Sequence, residues 1–227
     1  MLNQARLLRT APVTLAATWL LGAAVSAGML TACDNEPAQG KSQASVAEPV
    51  TTAQAPLVGA TKYTFSQAGS KFEFVGAKVT GKHDGALNQF SGTIQLPEPK
   101  AEAGSVNVEV DMASLTADDP KLTGHLKSPD LFDVEKFPKA RFTSTGIAPG
   151  GAGGATHTVT GNLELHGVTK SITFPATIAL GADAVDVNAE FAINRKDFGV
   201  NYPGMPNDLI KDDILVKLKL HATKASG

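Results

Sequence analysis

The chain has 227 residues, 20 basic against 22 acidic side chains for a net charge of −2, 6% aromatic residues and a single cysteine. With no basic surplus, and with its lysines scattered rather than banked on one segment, it lacks the electrostatic footprint of a nucleic-acid binder. One cysteine allows no internal disulfide, so an oxidising compartment would add no covalent staple.

Arg6 and Arg9 precede an uncharged run from Ala11 to Met29 that ends at Leu30-Thr31-Ala32-Cys33. This order predicts an export signal over residues 1–32. The arginines stay on the near side of the bilayer, the apolar run partitions into it, and the small residues expose an extended backbone to a peptidase. Leu-Thr-Ala-Cys resembles the lipobox of bacterial lipoproteins, which implies that Cys33 becomes a lipid-modified N-terminus. A plain signal peptide and an uncleaved anchor helix are the alternatives; roughly 18 apolar residues are marginal for spanning a bilayer. Loss of residues 1–32 removes two arginines and no acid, which moves the net charge from −2 to −4. Electrostatic adhesion to a membrane is therefore not expected, and acyl chains would supply the attachment. A cell-envelope location facing the periplasm follows as an expectation. Asp34 resembles the inner-membrane retention signal of some enteric bacteria, but the sequence does not assign the membrane.

Residues 33–60 hold the cysteine and then a stretch rich in Ala, Pro, Gln, Ser and Thr without one aromatic side chain. Such a segment buries too little apolar area to offset its ordering entropy and reads as a flexible linker with a reach on the order of 30 Å. Residues 61–227 form the folded domain, and period-two alternation dominates it. Phe72 and Phe74 alternate with Lys71 and Glu73; Phe90, Ile94 and Leu96 alternate with Ser91, Thr93 and Gln95. Val106, Val108, Val110 and Met112 share one face, and Asn107, Glu109 and Asp111 share the other. Further strands follow through Phe142 and Ser144, Val159 to Leu165, Ile172 to Leu180, Val185 to Ile193 and Ile214 to Leu220, about eight in all, each with one buried face.

One stretch departs from this pattern. Asp118-Asp119-Pro120 offers a cap and a first-turn proline, and Leu122 and Leu126 lie four apart, so a short helix is predicted to about Lys127, ended by Ser128-Pro129-Asp130. The Gly150–Gly154 run predicts a hairpin connection, and 201–206 a loop. An all-β chain of this kind must stack two sheets or close one, and closure also removes the exposed edges. An eight-stranded barrel either fills itself with side chains or holds one small ligand.

Several phrases resemble the YceI-like family: Thr123-Gly124-His125-Leu126-Lys127-Ser128-Pro129-Asp130-Leu131-Phe132-Asp133, Phe137-Pro138, Arg141-Phe142-Thr143-Ser144, the run from Val159 to Lys170, and Asn194-Arg195-Lys196-Asp197-Phe198-Gly199-Val200. Their order and separation match across the domain. The resemblance implies an all-β, eight-stranded antiparallel lipocalin-like barrel, with the short helix near one mouth. It also implies an apolar interior that holds a polyisoprenoid or another long-chain amphipathic lipid, no cofactor, and no catalytic residue. The segment Gly76 to Gly85 departs from the commoner members.

The residues expected to face such a ligand are Phe72, Phe74, Phe90, Val106, Val108, Val110, Leu122, Leu126, Phe132, Phe142, Leu163, Phe174, Phe191, Phe198, Ile214, Val216 and Leu218. The opposing reading is a barrel that fills its own interior. Inward Gly92, Gly161, Ala176 and Ala189 leave room that the phenylalanines would otherwise take. His125, near Asp130 and Asp133, is a candidate headgroup contact or a structural hydrogen bond at the rim. Arg195 is a candidate for either a headgroup contact or a salt bridge to Asp197. His83, His125, His157, His166 and His221 lack close ligand spacing and Cys33 is committed to lipid, so no metal is expected. The Asp208–Asp213 segment reads as a solvated turn before the last strand. No nucleophile or metalloprotease motif is present, so the expected role is a membrane-tethered lipid binder, not an enzyme. A packed barrel serving as an interaction module and, less favoured, a lipid-modifying enzyme are the alternatives.

Overall fold

A computed structural model describes residues 36–51 and 57–225; the stretch 1–32 expected to be an export signal, and Cys33, lie outside the described residues. In chain order the elements are β1 (Ser45–Ala47), β2 (Thr61–Ser66), β3 (Lys71–Lys78), β4 (Gly81–Leu87), β5 (Phe90–Leu96), β6 (Ser105–Asp111), β7 (Leu115–Ala117), α1 (Pro120–Lys127), β8 (Lys139–Pro149), β9 (His157–Leu165), β10 (Val168–Leu180), β11 (Ala184–Asn194), β12 (Gly204–Met205), β13 (Asp208–Leu209) and β14 (Asp213–Lys224).

Twelve of these strands form one antiparallel sheet that closes into an eight-staved barrel. Eleven of the twelve make the eight staves, because three staves are each made of two successive strands, and β1 is the twelfth, added on β10. β2 and β3 both pair with β14; β5 pairs with β2 where β4 pairs with β3; β6 pairs with β5 where β7 pairs with β4. β8, β9, β10, β11 and β14 complete the circuit. Each stave carries its apolar positions to the inside because alternate side chains point to opposite faces. On the outer face, Arg141 stands in register between Glu109 and Glu164 and bonds both, at 3.2 and 3.4 Å. Exposed pairs of this kind add little stability but keep the surface polar.

β4 and β2 are strands that the alternation did not single out. β4 contains Gly81 and Gly85 and lacks a clean apolar parity; its pairing with β3, not its own pattern, makes it a strand. The helix forms as expected. Asp119 is its N-cap, its side chain accepting from the N–H groups of Lys121 and Leu122 at 2.7 and 3.0 Å, with Pro120 in the first turn. The 201–206 loop is more ordered than expected: β12 and β13 pair as a two-residue hairpin, clipped to the β3–β4 turn by Val79 N–H donating to the Leu209 carbonyl at 3.1 Å.

The linker expectation needs correction over residues 36–51, which are docked on the barrel. β10 and β11 pair only through Thr177–Leu180 and Val185–Asn188, and beyond that they splay apart. The N-terminal segment fills the splay. Ser45, Val46 and Ala47 pair with Thr173, Ile172 and Ser171 on one side. On the other, Ala44 N–H donates to the Ala192 carbonyl at 2.8 Å and Ala192 N–H to the Ser42 carbonyl at 2.9 Å. The wedge leaves Ala192 wholly buried although it lies between the inward-facing Phe191 and Ile193. Glu36–Lys211, Lys41–Glu190 and Glu48–Lys170 ion pairs tack the segment down, and Asn162 bonds the backbone of Val50 in both directions. Composition favoured a coil, but two unpaired strand edges supply the partners that the segment lacks in itself.

Candidate functional site

The barrel interior holds a cavity of about 490 Å³, within the roughly 300–1,000 Å³ typical of small-molecule sites. Its walls are almost entirely apolar. Sixteen of the seventeen residues expected to face a ligand line it; Val106 does not, and packs instead against the core beside it. The lining also includes Met112, Ile172 and Ile193, which alternation placed on apolar faces, and residues that it did not mark: Leu87 of β4, Leu115 of β7, and Leu131, Val200, Tyr202, Met205 and Ile210 from the loops at one end. Those loop residues carry no periodicity, so only the folded chain brings them together.

Glycines decide whether the phenylalanines fill the lumen. Phe74 is paired across the sheet with Gly85 and lies flat on it, so that a Cβ at Gly85 would fall 2.2 Å from the ring tip. Phe142 covers Gly161 in the same way, with a Cβ there 2.4 Å from the ring. Rings laid on glycine backbone hug the wall and leave the axis open. A Gly85→Ala variant should therefore tip Phe74 inward and lower binding of a lumenal ligand by about tenfold, the effect of roughly 1.4 kcal/mol. Titration of purified protein with a fluorescent long-chain probe checks this, and unchanged affinity with a Phe74 ring in place would contradict it. Deeper in, Phe174 stacks on Phe191 with centroids 4.3 Å apart and tilts against Phe142 at 5.8 Å.

One end of the lumen is capped by α1 and the 199–212 loop. Leu122, His125 and Leu126 reach it from the helix, and His125 packs edge-on against Tyr202 at 5.0 Å. His125 Nε2 lies 3.2 Å from Asp130 Oδ2, so the imidazole is held at the rim with its carboxylate partner toward solvent. Arg195 also borders the cavity, but its guanidinium is 4% exposed and committed to protein. Nε donates to the Lys211 carbonyl at 3.1 Å, Nη1 to Val200 at 2.5 Å, and Nη2 to Ile210 at 3.4 Å and to Asp212 Oδ1 at 3.1 Å. The acidic partner is thus Asp212 and not Asp197, which the short 3-10 turn Arg195–Phe198 carries outward. Burial pushes the guanidinium pKa down while Asp212 pushes it up, and burial outweighs the partner.

The acidic run before β14 is tied to the same mouth. Asp208 bonds Lys78 at 2.6 Å and accepts from Thr80 N–H at 3.1 Å and Thr80 Oγ1 at 2.9 Å. The Lys78 ammonium, chiefly, and the Thr80 donors hold its carboxyl below the ordinary value of 3.8. A carboxyl depressed in the folded state contributes stability that is complete above its ordinary range and is lost as pH falls through the lower folded value. Acid should therefore loosen the β12–β13 hairpin. The Thr80 amide proton, followed by NMR, should titrate with an inflection below 3.8; an inflection at or above it would contradict the bonding.

The phrases that carry the family resemblance collect at this end. His166-Gly167, with φ of 51° and 74°, forms the two-residue turn between β9 and β10, the geometry of a type I′ hairpin. His166 Nδ1 lies 3.2 Å from the carbonyl of the fully buried Phe198. Asn194 caps the turn that presents Arg195, by accepting from Lys196 N–H at 2.9 Å. Among the described residues, no three His, Cys, Asp or Glu side chains converge as a metal site.

Comparison with known proteins agrees with this geometry. The sequence profile of the YceI-like domain matches residues 63–222. The chain belongs to the YceI-like family. It is 35% identical over 139 residues to a UPF0312 protein of Pseudomonas putida strain W619, covering 59% of this chain and 71% of that protein. Among solved structures it resembles BcnA of Burkholderia cenocepacia, with a TM-score of 0.61 and 29% identity over 69% of this chain and 98% of BcnA. It also shares its fold with a polyisoprenoid binding domain from Saccharophagus degradans, with a TM-score of 0.57 and 18% identity over 73% of this chain and 99% of that domain. The β1 wedge lies before the part matched by the YceI-like profile, which begins at residue 63.

Proposed function

We propose that this YceI-like barrel is a binding protein that holds a polyisoprenoid or another long-chain amphipathic lipid in its lumen, for transport or storage, at a membrane to which Cys33 tethers it. The observation that carries the reading is the cavity itself: about 490 Å³, walled by aliphatic and phenyl groups, with its polar groups gathered at the capped end. An alkyl or prenyl tail would occupy the walls and a polar head the rim beside His125, Tyr202 and Lys78. The fold shared with the polyisoprenoid binding domain of Saccharophagus degradans supports the same ligand class. Arg195 acts here as the pin that shapes the mouth.

Each methylene taken from water into the lumen contributes about 0.8 kcal/mol, close to a fourfold gain in affinity. A series of single-chain amphiphiles of increasing length should bind progressively more tightly until the lumen is full, then level off. Affinity independent of chain length would contradict the reading. Tethering is tested apart from binding: a Cys33→Ser chain should leave the membrane fraction and keep its ligand, and retention in the membrane would contradict the anchor.

A further inference from the structure

We infer that the mouth end of the barrel docks on the lipid surface itself, through an apolar patch formed by the β3–β4 turn and the β12–β13 hairpin. The inference rests on the reading that Cys33 carries the membrane anchor. Three observations meet at this end. Val79, Met205 and Leu209 are 58%, 61% and 49% exposed, large apolar side chains that project into solvent from two segments hydrogen-bonded to each other. Met205 also lines the cavity, as do Gly204 and Ile210 beside it, so the patch is continuous with the lumen. An exposed apolar patch on one side of the mouth, continuous with an apolar lumen, fits an apolar partner.

The second observation is where the chain approaches the barrel. Because residues 36–51 are docked, the free path to the anchor is far shorter than the linker's length suggests. Glu36 is paired with Lys211 at 2.8 Å, two residues after Leu209. Cys33 precedes Glu36 by three residues, which span at most about 11 Å of fully extended backbone. An acyl anchor on Cys33 therefore brings the bilayer to the end of the barrel that carries Val79, Met205 and Leu209. Leu180, at the far end of β10, faces away from it.

The third observation is charge. Lys78 is paired with Asp208, Lys196 with Asp212 and Lys211 with Glu36, so these three cations beside the patch are matched by acids, and Lys82, exposed at the start of β4, has no acid partner among the described residues and is left as a single unmatched charge. Contact with lipid then comes from insertion of the apolar side chains and not from attraction to anionic headgroups. A lipid that leaves the bilayer at this contact would pass into the lumen without crossing open water.

The test uses the full chain, purified from bacterial membranes and reconstituted in phosphatidylcholine vesicles, with an environment-sensitive NBD fluorophore on Val79→Cys or, at the opposite end, Leu180→Cys. Mass spectrometry of the N-terminus reports lipidation of Cys33 separately. The expected result is a blue-shifted Val79 label, at least twofold quenched by nitroxide-bearing lipids, beside a water-like Leu180 label. Replacing Met205 and Leu209 together by Glu should return the Val79 label to its water-like state, with the cooperative melt of the barrel retained. Adding phosphatidylglycerol to the vesicles should change neither label. A lipidated chain whose two labels read alike overturns the docking and leaves the anchor standing; an unlipidated chain overturns both. Val79 burial that appears only with phosphatidylglycerol overturns apolar insertion.

Discussion

Replacing Arg195 by Met is expected to destabilise the barrel by on the order of 3 kcal/mol, a loss in melting temperature of roughly 6–12 °C for a domain of this size. The three backbone carbonyls of Val200, Ile210 and Lys211 share this one guanidinium. Each buried acceptor left without a donor costs about 1–3 kcal/mol, and water reaching the loosened loop recovers part of that. Asp212 suffers less, because it is 41% exposed and retains Lys196 at 2.9 Å. Arg195→Lys should recover only part of the loss, since one ammonium cannot reproduce a planar fork. Calorimetry checks the size, and amide exchange across 200–212 checks the place. A melting point within about 2 °C of the parent's would contradict the pinning role.

Val108→Asp is expected to abolish lumenal binding, by at least a hundredfold, the effect of about 2.7 kcal/mol. Val108 stands in register between Gly92 and Phe142 and lines the cavity. A carboxylate there faces phenyl and aliphatic groups with no donor; ionised it is desolvated, and protonated it still needs a hydrogen-bond partner. Part of the cost falls on the fold, so melting is measured with ligand affinity. A fold that melts as the parent does and loads ligand equally would contradict the assignment of faces.

How much of this was legible in the chain depends on whether the cause was local. Alternation in β6, β11 and β14 set the inward faces, and sixteen of the expected lining residues reach the lumen because parity is enforced by the backbone itself. The helix was legible for the same reason: Asp119 and Pro120 act within one turn. What escaped was set by distant partners. β1 is a strand only because β10 and β11 part beside it, and nothing within Ser45–Ala47 announces that. Arg195 and Asp197 are neighbours in sequence, yet the 3-10 turn and the return of the chain at residue 212 give the guanidinium a different acid. The open lumen depends on pairs such as Phe74 with Gly85, whose registration belongs to the sheet and not to either strand.

The wedge also revises the role of the segment that precedes the domain. A coil of some 27 residues would hold the barrel clear of a surface; the docked segment closes the seam between β10 and β11, and on the proposed tether at Cys33 it would hold the barrel close. Soluble preparations that start at residue 61 would lack it and expose two strand edges. Starting at Asp34 keeps the barrel whole.

The central claim is that the lumen carries a long-chain lipid. Its most direct test is to express the Asp34–Gly227 chain in bacteria behind a cleavable export signal, purify it from the periplasm without detergent, extract it with organic solvent, and weigh what is released by mass spectrometry. The expected result is a prenyl or acyl lipid in near-stoichiometric amount, absent from a Val108→Asp preparation handled in parallel. Protein that arrives empty, and that takes up no long-chain amphiphile when offered one, would contradict the claim.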